Sequence, residues 1–299
     1  MGHIITDLKE AFRRGNVYIQ LIFINVGVFV ITTLIGILLQ LFNRSAAGIF
    51  ELLALPASFT RFAWQPWSIF TYMFMHAGFL HILFNMLWLY WFGALFLYFF
   101  SGKHLRGLYI VGGICGGLLY MISYNVFPYF RPMTAYSTMV GASASVLAIV
   151  VATAYREPNY PVRLLFFGNV RLKYLALIVV LTDLLFITSS NAGGHIAHLG
   201  GALAGLWFAA SLNKGKDITS WVNKALDAIA ALFSAKTWKR KPKMKVHYGN
   251  NTRQNDYDYN ARKKVQSEEI DRILDKLKKS GYESLTTEEK KSLFDASKR

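Results

Sequence analysis

The chain carries several unbroken apolar runs of about 20 residues, separated by short polar gaps. A helix of that length, at 1.5 Å per residue, matches the ~30 Å hydrocarbon core of a bilayer. Inside lipid every backbone polar group must be paired within the protein, so a run this long reads as a membrane-spanning helix. The expected fold class is an all-α polytopic membrane protein. Composition agrees: 54% of residues are hydrophobic and only 17% charged, against about 25% charged in an ordinary soluble domain. A disordered protein, a coiled coil and a typical cytosolic enzyme are excluded. The single cysteine, Cys115, lies in an apolar run, which excludes a disulfide framework and a cysteine metal site.

Six spans are expected, over 17–41, 79–100, 108–124, 136–155, 172–188 and 194–212, after a polar segment 1–16. The first run is too long for the core of a cleavable signal peptide. Lys9, Arg13 and Arg14 precede span 1, Lys103 and Arg106 lie between spans 2 and 3, and Arg156, Arg163, Arg171 and Lys173 lie between spans 4 and 5. The opposite loops hold only Arg44, Arg61 and Arg131. The richer side belongs in the cytoplasm, and both termini with it. The long outer connection, 42–78, carries Trp64, Trp67, Pro56 and Pro66 and is expected to lie in the outer interface, where Trp is favoured. Gly112, Gly113, Gly116 and Gly117 on span 3, and Gly201 and Gly205 on span 6, have the spacing that lets helices approach closely in lipid.

Polar residues inside spans are costly and are candidates for function. Here they are His81, Asn85, Ser143, Ser145, Asp183, His195 and His198. Counting along each helix from its cytoplasmic charge gives their heights. His81 is 22 residues from Lys103 and Asn85 is 18, about 33 and 27 Å. Ser143 is 13 residues from Arg156, about 20 Å, and His198 is 16 from Lys214, about 24 Å. Spans 2, 4 and 6 thus bring polar groups to one depth, in the outer half of the membrane. His81 and Asn85, four apart, share a helix face. Ser145 lies about 200° around from Ser143, so one serine at most can face span 6. Serine is a weak nucleophile without a base, histidine is the usual one, and acyl transfer needs donors for a developing oxyanion.

Three stretches carry a resemblance: Gly141-Ala142-Ser143-Ala144 on span 4, His81-Ile82-Leu83-Phe84-Asn85 on span 2, and Ala197-His198-Leu199-Gly200-Gly201-Ala202-Leu203-Ala204-Gly205 on span 6. Together they make residues 15–212 similar to the rhomboid family of intramembrane serine proteases. The resemblance implies a six-helix bundle in which Ser143 is the nucleophile and His198 its base. Asn85 and His81, with a backbone N–H, would line the oxyanion hole, and Gly141, Gly201 and Gly205 would serve the motif and its packing. It implies membrane-anchored protein substrates, no cofactor and no metal; a nucleic-acid partner is not expected either, because no recognition motif accompanies the basic charge. Two positions depart from the family pattern. Ala144 stands where the commoner motif has glycine, and Leu147 where a tyrosine often stacks on the histidine. His76 matches another histidine often seen before span 2; no role is assigned to it.

Two further polar residues stay open. His195, three before His198, competes for the role of base, but only His198 has glycines three and seven residues later. Asp183 invites a Ser-His-Asp triad, whereas the resemblance implies a dyad; a structural hydrogen bond, to span 6, is the expectation. The alternative function is a rhomboid-like pseudoprotease that binds or escorts membrane proteins, which need not keep the Ser143–His198 pair. A transporter would need inverted repeats and broken helices at the midplane.

The rest of the chain is basic. Residues 213–299 hold 21 Lys and Arg against 12 Asp and Glu, a net of +9 out of +16. Over 213–245, Ile218, Trp221, Val222, Ala225, Leu226, Ile229 and Phe233 repeat at helical spacing, with six basic residues in 236–245 behind them. This helix either lies on the inner leaflet, where anionic lipid is a partner, or packs on the protein. Residues 246–266 read as a linker, and 267–299 as a helical hairpin opened by Ser267, closed by Gly281 and resumed at a Thr286–Glu289 capping box. The hairpin resembles a small module of some bacterial rhomboid-like proteins, which implies the bacterial cytoplasmic membrane.

Overall fold

The computed structural model describes residues 12, 15–164, 168–232 and 252–297. They fall into two compact units, Met1–Thr237 and Trp238–Arg299. In the first, helix α1 (Val17–Leu41) leads into three short outer helices, α2 (Ala47–Leu53), α3 (Phe59–Trp64) and α4 (Ser68–Thr71), with strand β1 (Leu55–Pro56) between α2 and α3. Helices α5 (Phe79–Phe99) and α6 (Gly102–Val126) follow, then β2 (Thr138–Met139) and α7 (Ser143–Arg156). A hairpin of β3 (Pro161–Leu164) and β4 (Gly168–Arg171) precedes α8 (Leu172–Leu185), α9 (Ala192–Asn213) and α10 (Ser220–Leu232). Among the described residues, α1, α5, α6 and α9 are long and apolar enough to cross a membrane alone. The chain is an all-α polytopic membrane protein. Much of α1 and α8 turns large side chains such as Leu34, Leu38, Ile178 and Leu181 outward, as a lipid solvent allows.

The centre is a contact of three helices made through missing side chains. A Cβ on Gly201 or Gly205 of α9 would run into the carbonyls of Ala144 and Ala148 on α7. One on Gly200 would lie 2.6 Å from the Cys115 carbonyl of α6. From the other side, Cβ atoms on Gly112 and Gly116 of α6 would meet the methyls of Ala148 at 2.5 Å and Ala144 at 2.7 Å. Ala144 and Ala148 are therefore clasped between glycines of both neighbours. In lipid, where burial of apolar surface adds nothing between helices, this close approach is the source of attraction. Ala144, the departure from the family motif, fits with its methyl against Gly116.

The fourth span differs from its expected limits. Its helix starts at Ser143, not near 136. Residues 137–139 are held extended: Leu55 pairs with Met139, Pro56 with Thr138, and the Ala57 N–H donates to the Ser137 carbonyl at 3.0 Å. Gly141, at φ +134°, then turns the chain, and its N–H donates to the Tyr72 carbonyl at 2.9 Å. The helix that remains has 14 residues, about 21 Å. Span 5, α8, is likewise 14 residues and ends at Leu185 rather than 188. Span 3 is longer than expected. It begins at Gly102 because Ser101 caps it, accepting from the His104 N–H at 3.2 Å.

The outer connection is folded onto the bundle. Tyr72 donates to the Gly113 carbonyl at 2.5 Å. The Tyr109 hydroxyl donates to the Met73 carbonyl at 2.9 Å and accepts from Asn25 Nδ2 at 3.0 Å. Asn25, a fully buried amide on α1, thereby ties the first helix in. Trp64 and Trp67 remain exposed, as an interfacial position requires.

Of the two placements open to the basic helix, α10 packs on the protein. Asn223 donates to the Lys103 carbonyl at 3.0 Å and accepts from Arg106 at 2.9 Å, and Thr219 fills the space beside Gly107. Trp221, Ile229 and Leu232 stay outward. Phe233 and the basic run 236–245 lie outside the described residues.

In the second unit, α11 (Thr252–Ser280) runs without a break through most of the expected linker and past Ser267. No Gly or Pro interrupts 252–280, so helix propagation overrides the cap signal. Gly281, at φ +76°, ends it. Helix α12 (Thr287–Ser297) opens on the capping box: the Glu289 N–H donates to Thr286 Oγ1 at 3.3 Å, and the Thr286 N–H to the Glu289 carboxylate at 2.8 Å.

Replacing Gly201 with Ala should cost about 1–3 kcal/mol or prevent folding, by overpacking against Ala144. Gly27→Ala, with nothing within 4 Å of the added methyl, should stay within about 0.5 kcal/mol. Thermal melting in detergent compares the two, and equal losses would refute the close-contact account.

Candidate active site

The site is built around the start of α7. Ser143 is its first helical residue, so the amides of its first turn have no intrahelical acceptor and the helix dipole adds partial positive charge there. Ser143, Val146 and Leu147 of α7 form one wall of a cavity of about 230 Å³, with Phe84, Asn85 and Trp88 of α5, Val179 of α8 and His198 of α9 around it. Three of the residues singled out by depth thus meet in one cavity. Ser145 does not: its hydroxyl is buried on the opposite side, near Gly113 of α6, with no hydrogen-bond partner.

His81 stands at the rim. A Cβ on Gly141 would lie 2.9 Å from His81 Nε2 and 3.6 Å from Ser143 Oγ. Gly141 therefore has two reasons to be glycine: its positive φ, and the imidazole that occupies the space. Asn85 spends one amide hydrogen on the His81 carbonyl, at 2.8 Å, and keeps the second donor free. His76 packs edge-on against His81, with ring centroids 5.1 Å apart. Burial, and after it the neighbouring His81, push the His76 imidazole down to about 4.

Asp183 bonds to span 6 as expected, and to both of its histidines. Its Oδ1 lies 2.8 Å from Nδ1 of His198 and 2.8 Å from Nδ1 of His195. His195 is not among the residues lining the cavity. These three side chains are also the group among the described residues whose ligand atoms could converge on a metal ion, all lying within 4.8 Å of one another. Leu147, where the family often has a stacking tyrosine, contributes apolar wall only. The lining residues Phe84, Trp88, Val146 and Val179 gave no signal in the sequence, because an apolar residue in a span looks the same whether it faces lipid or a cavity.

Residues 63–214 match the sequence model of the Rhomboid domain. The chain belongs to the rhomboid family. Within this rhomboid chain a second stretch, 254–299, matches a family of unknown function (DUF6576), which covers most of the second unit. A curated protein of Arabidopsis thaliana, "RHOMBOID-like protein 12, mitochondrial", is 29% identical over 158 residues, or 50% of this chain and 47% of that protein. The matched region thus spans about half the length of that relative.

The Gly141 turn places the serine of this rhomboid, so Gly141→Ala should destabilise the protein by about 1–3 kcal/mol. A variant with wild-type melting would show that the turn is not strained and that His81 moves freely.

Proposed function

We propose that this rhomboid-family protein is an intramembrane serine endopeptidase that cleaves membrane-anchored proteins, using Ser143 and His198. The observation that carries the reading is that Ser143, at a helix N-terminus, and His198 line one cavity with Asn85. In the proposed reaction Ser143 Oγ attacks a substrate carbonyl carbon while its proton passes to His198 Nε2. The oxygen takes up the charge among the amide of Asn85, His81 and the first-turn N–H groups of α7. His198 then returns the proton to the departing amide nitrogen as the C–N bond breaks. Water, deprotonated by His198, releases the acyl group and restores Ser143.

A larger cavity of about 930 Å³ lies between α5, the β3–β4 hairpin and α8, and Trp88 lines both cavities. By the bias of basic residues both termini lie in the cytoplasm and the serine in the outer half of the membrane. The composition of the basic tail suits the anionic lipid of the inner leaflet as a further partner.

Ser143→Ala should abolish cleavage of spanning peptides by the purified full chain while leaving melting nearly unchanged. A fluorophosphonate should label Ser143 in the wild type. Binding of membrane proteins without cleavage, in a wild type that no fluorophosphonate labels, would instead make the chain a rhomboid-like escort. Asn85→Ala should lower kcat by about 10²–10³-fold with little change in KM, as for loss of one oxyanion donor. A normal kcat with a lowered melting temperature would leave Asn85 as a helix clasp. A chain ending at Ala235 should still insert and cleave, since every candidate residue precedes that point. Loss of cleavage in a folded truncation would make the tail part of the machinery.

A further inference from the structure

We infer that Asp183 is a positioning residue for His198: its carboxylate fixes the tautomer and the rotation of the imidazole that serves Ser143. The inference rests on the proposed Ser143–His198 reaction and adds a third member to it. The carboxylate comes from α8, is 4% exposed, and sits with Oδ1 2.8 Å from Nδ1 of His198. An ionised carboxylate only accepts hydrogen bonds. The Nδ1 atoms facing it must therefore both carry their protons. That leaves Nε2 of His198 as the lone-pair nitrogen, which is the tautomer a base for Ser143 needs.

The arrangement also answers how His198 is held. A stacked ring from α7 is not available, because that position is Leu147. The ring contact of His198 is with His195, edge-on at 6.1 Å and 82°, which does not fix its rotation. The bond to Asp183 does. His195 in turn donates to the same Oδ1 and lies against Phe186, with ring centroids 6.0 Å apart. It is a second hold on the carboxylate. Two donors on one oxygen explain how the group stays in place although its Oδ2 has no partner. During attack the proton goes from Ser143 Oγ to His198 Nε2 and the Nδ1 proton stays where it is, so the imidazolium forms facing the Asp183 carboxylate.

The test uses the purified full chain with Asp183→Asn, Asp183→Ala and Asp183→Glu. Asn keeps the shape of the side chain, so it covers the case in which the Ala variant fails to fold. If Asp183 positions the base, Asn and Ala should lower kcat by about 10²–10⁴-fold with KM within a few-fold, and Glu should recover part of the loss. Asp183 acting only as a clasp between α8 and α9 predicts a lower melting temperature with kcat per folded molecule unchanged, and that result overturns the inference. A second readout does not depend on cleavage. Nitrogen-15 spectra of histidine-labelled protein, assigned with His198→Ala, should show His198 protonated at Nδ1 in the wild type and a mixture of tautomers in Asp183→Ala. A wild-type His198 protonated at Nε2 overturns the inference whether or not the protein cleaves anything. Failure of Ser143 labelling with the expected tautomer present would instead count against the protease reading. Activity should survive treatment with a chelator. Loss on chelation and recovery with zinc would make Asp183, His195 and His198 metal ligands and not a positioning relay.

Discussion

Everything in the membrane unit hangs on the absence of side chains along one seam. In lipid, two helices gain little from hiding apolar surface, because the solvent is as apolar as they are. What is left is dispersion and dipole contact, which fall off steeply with distance. Glycines on α6 and α9 remove the atoms that would hold α7 away, and Ala144 and Ala148 fill the space with single methyls. Helix α7 is the most enclosed of the apolar helices as a result: from Ala144 to Ala154 every residue is buried. A buried helix cannot drift, so the first residue of that helix is fixed in space, and that residue is Ser143.

The elements that the sequence revealed and those it hid differ in kind. Pairs at helical spacing, His81 with Asn85 and His198 with Gly201 and Gly205, are local and can be read from periodicity. So could the span order, the first helix to its limits, and the capping box at Thr286 and Glu289. The true start of α7 could not be read. Residues 136–142 are apolar enough to continue a helix, and what prevents it is a pairing with Leu55 and Pro56, about 80 positions earlier in the chain. Asp183 is a similar case. A side chain that meets two histidines of another helix depends on how α8 is rotated. The extension of α11 through 252–266 is hidden for a different reason: polar composition reads as a linker there, although no helix breaker is present.

The site is divided between a rigid part and a less enclosed part. Ser143 and His198 sit on α7 and α9, which are locked together by the glycine seam. Asn85 and Asp183 come from α5 and α8, which border the larger apolar cavity and turn much of their surface outward. In the proposed reaction the nucleophile and the base are thus held by backbone contact, and the residues proposed to assist them by hydrogen bonds. Helix α10 is attached to the same framework, tied to the start of α6 through Asn223 and Arg106.

The two short spans have a consequence for the membrane itself. Helix α8 offers the bilayer an apolar length of about 21 Å, against an average hydrocarbon thickness of ~30 Å, and it faces outward along Leu177, Ile178, Leu181 and Leu184. Lipids cannot leave such a face half covered at no cost; the leaflets draw together beside it. A bilayer that thins to meet this face has a dimple on the side where α8 stands. A neighbouring spanning helix of ordinary length that enters the dimple is too long for its surroundings and must tilt, or push its end out into water.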